Sequence, residues 1–383
     1  MKRIVWVAIL IAALLALPAS YALAESTQEE LNDYVEQNVN ALDTDDLQSF
    51  LDSLPFSQGS VKEQLAALIR GDLSDPQTVV KGVWDILTQG VRESVPALIA
   101  ILVVAVLYNM LFGLTSGFVA HGTQEVVHLV CYAAVLVTVV SLVVGVVKDV
   151  RSTVDHLVSL MGYVTPPLMT LTTALGGKTS TAVLSPQLAL FSTLLARIIS
   201  AVAIPLFIVA TVLSVVGNLS DNVRLGKLNS AVRYLLGCVL GVSFGLYTTY
   251  LTVTGVAGGM ADTMSLRAAR YVVGNYVPIL GGYISQGFDL VSTSLLLIKN
   301  ALGAFAMIVT VGVVLRPLIK VMLLTVGLKL VAGLIEPVGD KRLASMIGGV
   351  AESLRSLTAA TAGVGFAFLV TMLMVMTSTT MIL

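Results

Sequence analysis

Residues 262–303 read D-T-M-S-L-R-A-A-R-Y-V-V-G-N-Y-V-P-I-L-G-G-Y-I-S-Q-G-F-D-L-V-S-T-S-L-L-L-I-K-N-A-L-G. The stretch opens polar, with Arg267 and Arg270, and passes through Gly274-Asn-Tyr-Val-Pro278 and the pair Gly281-Gly282. It ends in an apolar run that carries Asp289 and Lys299. It is neither a plain membrane span nor a plain polar loop. Its pattern predicts a bent or re-entrant membrane segment, because irregular backbone at membrane depth survives only where protein or a wet cavity satisfies its polar groups.

Composition sets the context. Of 383 residues, 56% are hydrophobic and 12% charged, and the mean hydropathy is +0.91. Soluble domains carry about 25% charged residues, so the chain reads as a polytopic membrane protein. Cys131 and Cys238 both lie in apolar runs, which suits small buried side chains rather than a disulfide framework.

The chain begins with Lys2 and Arg3, an apolar run from Ile4 to Leu17, Pro18, and Ala22-Leu23-Ala24 before Glu25. This reads as a signal peptide over 1–24, cleaved between Ala24 and Glu25. An uncleaved first span is the competing reading; the A-x-A position and the acidic segment after it favour cleavage. Residues 25–94 carry fourteen acidic and four basic side chains, whereas residues 95–383 carry sixteen basic and nine acidic ones. An export signal followed by a Lys/Arg-poor segment predicts a small helical extracytoplasmic region. Ser60 and Glu63 form a capping-box pattern, and Asp75-Pro76 marks a helix start. The acidic residues read as a solvated face, since no calcium-loop pattern is present.

Plain spans are expected at 96–115 and 126–147, joined by a short loop with His121 and Glu125, and these two fill residues 95–150. Lys148 to Gly177 reads as amphipathic and broken at Pro166-Pro167 and Gly176-Gly177. Further spans follow at 186–217 (interrupted at Arg197 and Pro205), 231–256, 301–335 (broken at Arg316-Pro317) and 361–383. Each has the ~20 residues a crossing helix needs.

Three landmarks recur in order. Met161-Gly-Tyr-Val-Thr-Pro-Pro-Leu168 resembles Val273-Gly-Asn-Tyr-Val-Pro-Ile-Leu280. Ile204-Pro-Leu-Phe207 resembles Arg316-Pro-Leu-Ile319. The turn Asp221-Asn-Val-Arg-Leu225 resembles Asp340-Lys-Arg-Leu343. The expected architecture is therefore all-α, with a parallel internal repeat of Pro/Gly-broken membrane segments over 151–260 and 261–383; chance similarity of apolar sequence is the alternative. The basic turns at 221–233 and 340–355 belong in the cytosol and the N-terminal region outside. Arg267 and Arg270 fit this scheme least well.

Charges inside spans are costly in lipid, so Arg197, Asp289, Lys299 and Arg316 are candidates for a polar passage, against snorkelling or internal pairing. Gly237, Gly241 and Gly245 form a small-residue face that suits close helix packing. No nucleotide loop, metal cluster or supported catalytic constellation is present, so no enzyme activity, cofactor, metal or nucleic-acid partner is expected.

The segment S-L-R-A-A-R-Y-V-V-G-N-Y-V-P-I-L-G at 265–281, followed by S-L-L-L-I-K-N-A-L-G at 294–303, closely resembles the stage III sporulation protein AE family of endospore-forming bacteria. The resemblance extends to the signal peptide, to Leu68-Ile-Arg-Gly-Asp72 and to Ile335-Glu-Pro-Val-Gly339. It implies a mother-cell membrane component of a channel-like assembly facing the forespore, which supports forespore development and late transcription. The implied partners are the other membrane subunits of that stage III complex and the lipid bilayer. The family carries no established catalytic residues. A stand-alone secondary transporter built on the repeat is the alternative, and a membrane enzyme is a distant third. Some seventy polar residues ahead of the first mature span suit a docking subunit better than a transporter. Gly274, Asn275, Pro278, Gly281 and Gly282 are expected to form a backbone break on the outer side that serves as a passage mouth or partner site, against an ordinary outer loop.

The mature protein is expected to begin at Glu25. Intact mass or N-terminal sequencing of protein purified from membranes checks this, and retained Lys2 and Arg3 would refute it.

Overall fold

The computed structural model describes residues 39, 44–54, 59–70, 76–115, 121–219, 225–276, 281–337 and 341–380. The expected signal peptide with Ala24 and Glu25, and Pro278, lie outside the described residues. In chain order the helices are α1 (Asp45–Asp52), α2 (Val61–Arg70), α3 (Pro76–Thr115), α4 (His121–Ala174), α5 (Lys178–Ile198), a π-helical turn (Ile199–Ala203), α6 (Ile204–Val216), α7 (Gly226–Tyr276), α8 (Gly281–Ile335) and α9 (Lys341–Thr380). The described residues are all-helical, and among them six stretches are long and apolar enough to cross a membrane: Trp84–Leu107, Tyr132–Ala174, Lys178–Val216, Gly226–Thr254, Val291–Ile335 and Lys341–Thr377.

The helices are far longer than the expected spans. α4, α7 and α8 have 54, 51 and 55 residues, or about 80 Å each at 1.5 Å per residue, against a hydrocarbon core of about 30 Å. α3 runs unbroken across residue 94, α4 already begins at His121, and α7 continues through Asp262 to Tyr276. The residues His121 and Glu125, expected in a loop, are therefore helical.

Prolines account for the main corrections. The expected breaks at Pro166-Pro167 and at Arg316-Pro317 are not there; α4 and α8 run straight through them. A proline removes only the hydrogen bond to the carbonyl four residues back. In an apolar environment, opening the rest of the turn would strand several more polar groups. Pro205 behaves differently. It follows the π-helical turn, in which the Ile204 N–H reaches back five residues to the Ile199 carbonyl.

The break expected at Gly176-Gly177 is present. Gly176 has φ of 90°, the left-handed region that glycine enters without strain. The Gly176 N–H donates to Thr173 O and the Gly177 N–H to Thr172 O, each at 2.9 Å. This is the Schellman pattern of a helix C-terminus.

Contacts fix the helix directions. Gly90 of α3 faces Ile319 and Leu323 of α8, and Leu98 faces Gly327, so α3 and α8 run parallel. Arg233 reaches the Gly349 carbonyl, Phe244 faces Gly363, and the Tyr247 hydroxyl bonds Thr371, so α7 and α9 run parallel. Lys329 meets Glu352, Val314 meets Gly365 and Lys299 meets Met376, so α8 and α9 are antiparallel. Tyr132 near the start of α4 donates to Val215 O at the end of α6 (2.7 Å), which puts those termini at one end of the bundle.

α9 is the central helix. Half of its most apolar window is buried, against 22% for those in α3 and α7. Val350, Leu354, Leu357, Val364 and Phe368 make its inner stripe. Within hydrocarbon, burial from water does not drive helices together; close packing does. Glycines supply the closeness here. A Cβ on Gly365 would stand 2.8 Å from Val314 Cγ1 and 3.3 Å from its Cβ, and one on Gly327 2.2 Å from Leu98 Cδ1.

Gly365→Ala is therefore expected to lower stability by about 1–3 kcal/mol, because Val314 is stiff at χ1 and cannot swing away. Gly145→Ala, where a Cβ meets nothing within 4 Å, should be neutral or stabilising. Thermal unfolding of the two variants in the same detergent checks the contrast.

Candidate functional site

Three membrane helices bring their charges to one place. Glu93 of α3 accepts from Arg316 Nη2 (3.1 Å) and faces Lys320 Nζ (3.4 Å), both of α8. Lys320 Nζ also meets Asp149 Oδ2 of α4 at 2.8 Å. Arg316 and Lys320 lie four apart, on one face of α8, so a single helix presents both cations to two carboxylates. The cluster borders a cavity of about 250 Å³ whose wall includes Ser152, Thr153, His156 and Leu54. Its side chains keep 26–41% exposure, so each pair alone contributes about 1 kcal/mol or less. Stranding one member would leave a partly buried charge uncompensated and would cost more than the pair contributes.

The N-terminal helices cover this cavity. The Phe50 ring of α1 packs edge-on to His156 (6.2 Å between centroids) and against Tyr163 (5.7 Å) of α4. Leu54, just past α1, is buried in the cavity wall. Gln48 Oε1 accepts from the Val61 N–H at 2.7 Å and so ties α1 to the start of α2. The Ser60 N–H donates to Glu63 Oε2 at 3.3 Å, one half of the capping box that the sequence suggests. His156 and Tyr163 lie beyond Asp149 toward Gly176, so α1 docks at the end of the bundle opposite the Tyr132–Val215 contact.

At that opposite end a second set of charges joins α6, α7, α8 and α9. Arg233 Nη2 donates to Ser214 Oγ (2.8 Å) and to the Gly349 carbonyl (2.9 Å). With its amide turned to satisfy both ends, Asn229 donates to Ala210 O at 3.0 Å and accepts from Ser214 Oγ at 2.8 Å. Glu352 takes Lys329 at 2.8 Å and Arg355 at 3.2 Å.

Lys299, singled out from the sequence, is fully buried, and its Nζ donates to the Met376 carbonyl of α9 at 3.4 Å. Gly303, one turn further along the same face, admits Met376 so closely that a Cβ would stand 2.4 Å from its Cγ. The Lys299/Gly303 spacing thus sets α9 against α8. Arg316 lies 17 residues from Lys299, about 25 Å along one helix, so the two belong to different sites. Arg197 is exposed in the last turn of α5. Asp289 lies in α8, with its side chain outside the described residues. Gly274 and Asn275 end α7, and Gly281 and Gly282 open α8.

The start of the quoted stretch has a role that sequence reasoning missed. Asp262 is buried in α7. Its Oδ1 accepts from the Thr179 N–H (2.9 Å) and its Oδ2 from the Ser180 N–H (2.7 Å), which caps the first turn of α5 from 82 residues away. Gly177 at the cap position offers no side-chain acceptor, and a Cβ there would stand 2.8 Å from Thr172 Cγ2 and 2.9 Å from the Thr172 carbonyl oxygen. The available signal was Gly176-Gly177-Lys178-Thr-Ser, a helix start without its own acceptor. Burial pushes the Asp262 carboxyl up, but the hydrogen bonds from Ser180 and Thr179 outweigh it and hold the group below its ordinary value.

Among the described residues, no group of three His, Cys, Asp or Glu side chains is placed to hold a metal ion. The six apolar stretches of membrane length among the described residues define a polytopic helical membrane protein. The chain belongs to the stage III sporulation protein AE family, whose model matches residues 60–379. It is 23% identical over 391 residues to a Bacillus subtilis (strain 168) protein named Stage III sporulation protein AE, covering 99% of this chain and 98% of that one. No solved structure matches the chain.

Asp262→Ala is expected to cost about 1 kcal/mol of stability at neutral pH, the usual loss of a helix cap. The folded pKa lies below the unfolded one, so the contribution is complete above about pH 4 and fades as pH falls through the folded value. Detergent melting curves of the wild type and variant should differ by a constant amount between about pH 5 and 8 and converge in stronger acid. A gap that widens on acidification would contradict the cap.

Proposed function

We propose that this chain is a membrane subunit of a sporulation stage III assembly. It would sit in the mother-cell membrane facing the forespore, as part of a channel-like complex that supports forespore development and late gene expression. Membership of the family supports the sporulation role. The docking of α1 over the Glu93–Asp149–Arg316–Lys320 cavity carries the subunit reading. It holds the acidic N-terminal segment against the membrane bundle, where it presents a surface to partner subunits rather than closing on a substrate site.

In this reading the N-terminal region lies outside the cytosol after removal of residues 1–24, and the basic end with Arg233, Lys341 and Arg342 lies inside. The connection between α7 and α8, flanked by Gly274, Asn275, Gly281 and Gly282, then falls on the outer side, where these residues and Pro278 would serve as a passage mouth or a site for partner subunits. The internal repeat over 151–260 and 261–383 belongs to the same proposal. The parallel course of α7 and α9 favours it, whereas the different backbone at Pro205 and Pro317 weighs against a close copy. The second reading, a stand-alone secondary transporter, draws on the buried Lys299, since ionisable groups inside spans mark transport paths in many proteins.

A reporter inserted near Lys227 is expected to read cytoplasmic and one placed after Leu383 extracytoplasmic. The tagged chain, purified from sporulating cells in mild detergent, should bring down other membrane proteins in fixed ratio. Both reporters on one side would overturn the topology. A chain that purifies alone and moves solute in vesicles would favour the transporter.

A further inference from the structure

A cavity of about 540 Å³ opens between α7 and α9, lined among others by Arg233, Arg355, Glu352, Gly237, Gly241 and Phe244. It falls in the size range of roughly 300–1,000 Å³ typical of small-molecule sites, yet it lies on the outer surface of two membrane-crossing helices. Tyr234 beside it is 76% exposed. Its two ends differ in chemistry. Arg233, Arg355 and Glu352 stand at the end nearer the basic connections, and Gly241, Phe244 and Ala359 line the end nearer the middle of the helices.

Three cations surround the polar end. Glu352 is the one anion lining the cavity, and it is neutralised by Lys329 at 2.8 Å and Arg355 at 3.2 Å. Arg233 Nη2 is taken by Ser214 and Gly349, which leaves its Nη1 and Nε hydrogens for a further acceptor, since a guanidinium has five. The polar end therefore carries net positive charge. The apolar end is a channel kept open by missing side chains, for a Cβ on Gly237 or Gly241 would meet nothing within 4 Å.

We propose that this cavity binds an anionic phospholipid, with the phosphate between Arg233 and Arg355 and an acyl chain along Gly237, Gly241 and Phe244. The polar-to-apolar axis of the site runs along the helices, as a lipid does in a bilayer. Basic pockets between membrane helices on the cytosolic side favour anionic headgroups, each cation adding about 1 kcal/mol. An apolar partner helix would fit the glycine channel but would leave the net positive charge at its polar end uncompensated. The proposal does not depend on the sporulation role.

Native mass spectrometry of the full chain, exchanged into detergent with equal phosphatidylglycerol and phosphatidylethanolamine, tests the site. The wild type should retain phosphatidylglycerol preferentially. Arg355→Gln, which removes an exposed cation while Lys329 still holds Glu352, should cut that retention about fivefold. Gly241→Leu, which fills the channel where there is room, should do the same, and Gly145→Leu on α4 should not. Equal retention of the two lipids, or wild-type retention in Arg355→Gln, would overturn the proposal. So would a Gly241→Leu variant that changes only the monomer–dimer ratio, because the channel would then be a seam for another helix.

Discussion

A charge carried on an apolar helix demands a partner from within the protein. The Glu93–Arg316–Lys320–Asp149 cluster meets that demand with side chains from three helices. Satisfying it helps to set the relative height of α3, α4 and α8, because the three ion pairs would not all survive a slide of one turn, about 5.4 Å. Apolar side chains alone could not set that register. Lipid tails are as apolar as leucine, so sliding one greasy helix along another changes little except the fit of side chains. Glycine contacts at Gly327, Gly363 and Gly365 then refine the register that the charges impose.

The same height marks where the chain outside the bundle attaches. α1 lays Phe50 on His156 and Tyr163, about two and four turns beyond Asp149 on α4. The basic end is tied separately, through Arg233, Asn229 and Ser214 and through Glu352 with Lys329. Beyond the cluster, on the side away from the basic end, Lys299 and Gly303 bring α9 against α8. Lys299 and Arg316, which hydropathy flags as anomalous, thus serve as ties between helices, each in its own neighbourhood.

Much of this was legible in the sequence. Six runs of apolar residues announced six membrane helices, and Gly176-Gly177 announced the one sharp turn between α4 and α5. Lys299 and Arg316 stood out because lysine and arginine are rare in such runs. Proline was misleading. Pro166, Pro167 and Pro317 look like breaks but sit inside continuous helices, since an apolar environment penalises further unpaired backbone more than it penalises one missing bond. The partners of the charges were hidden for another reason. Glu93 meets a cation 223 residues away and Asp262 caps a helix start 82 residues upstream. Pairings of that separation depend on which helices become neighbours, and no local pattern encodes that.

The central claim is that the charges of the cluster serve as structural ties. Neutralisation of one pair tests it most directly, by thermal unfolding of the purified chain in detergent. Lys320→Met alone leaves Asp149 without its cation and should lower the melting temperature. Lys320→Met combined with Asp149→Asn removes both charges, leaves Glu93 with Arg316, and should recover most of the loss. A double variant no more stable than Lys320→Met alone would contradict the account, because the charges would then be held for some purpose other than each other.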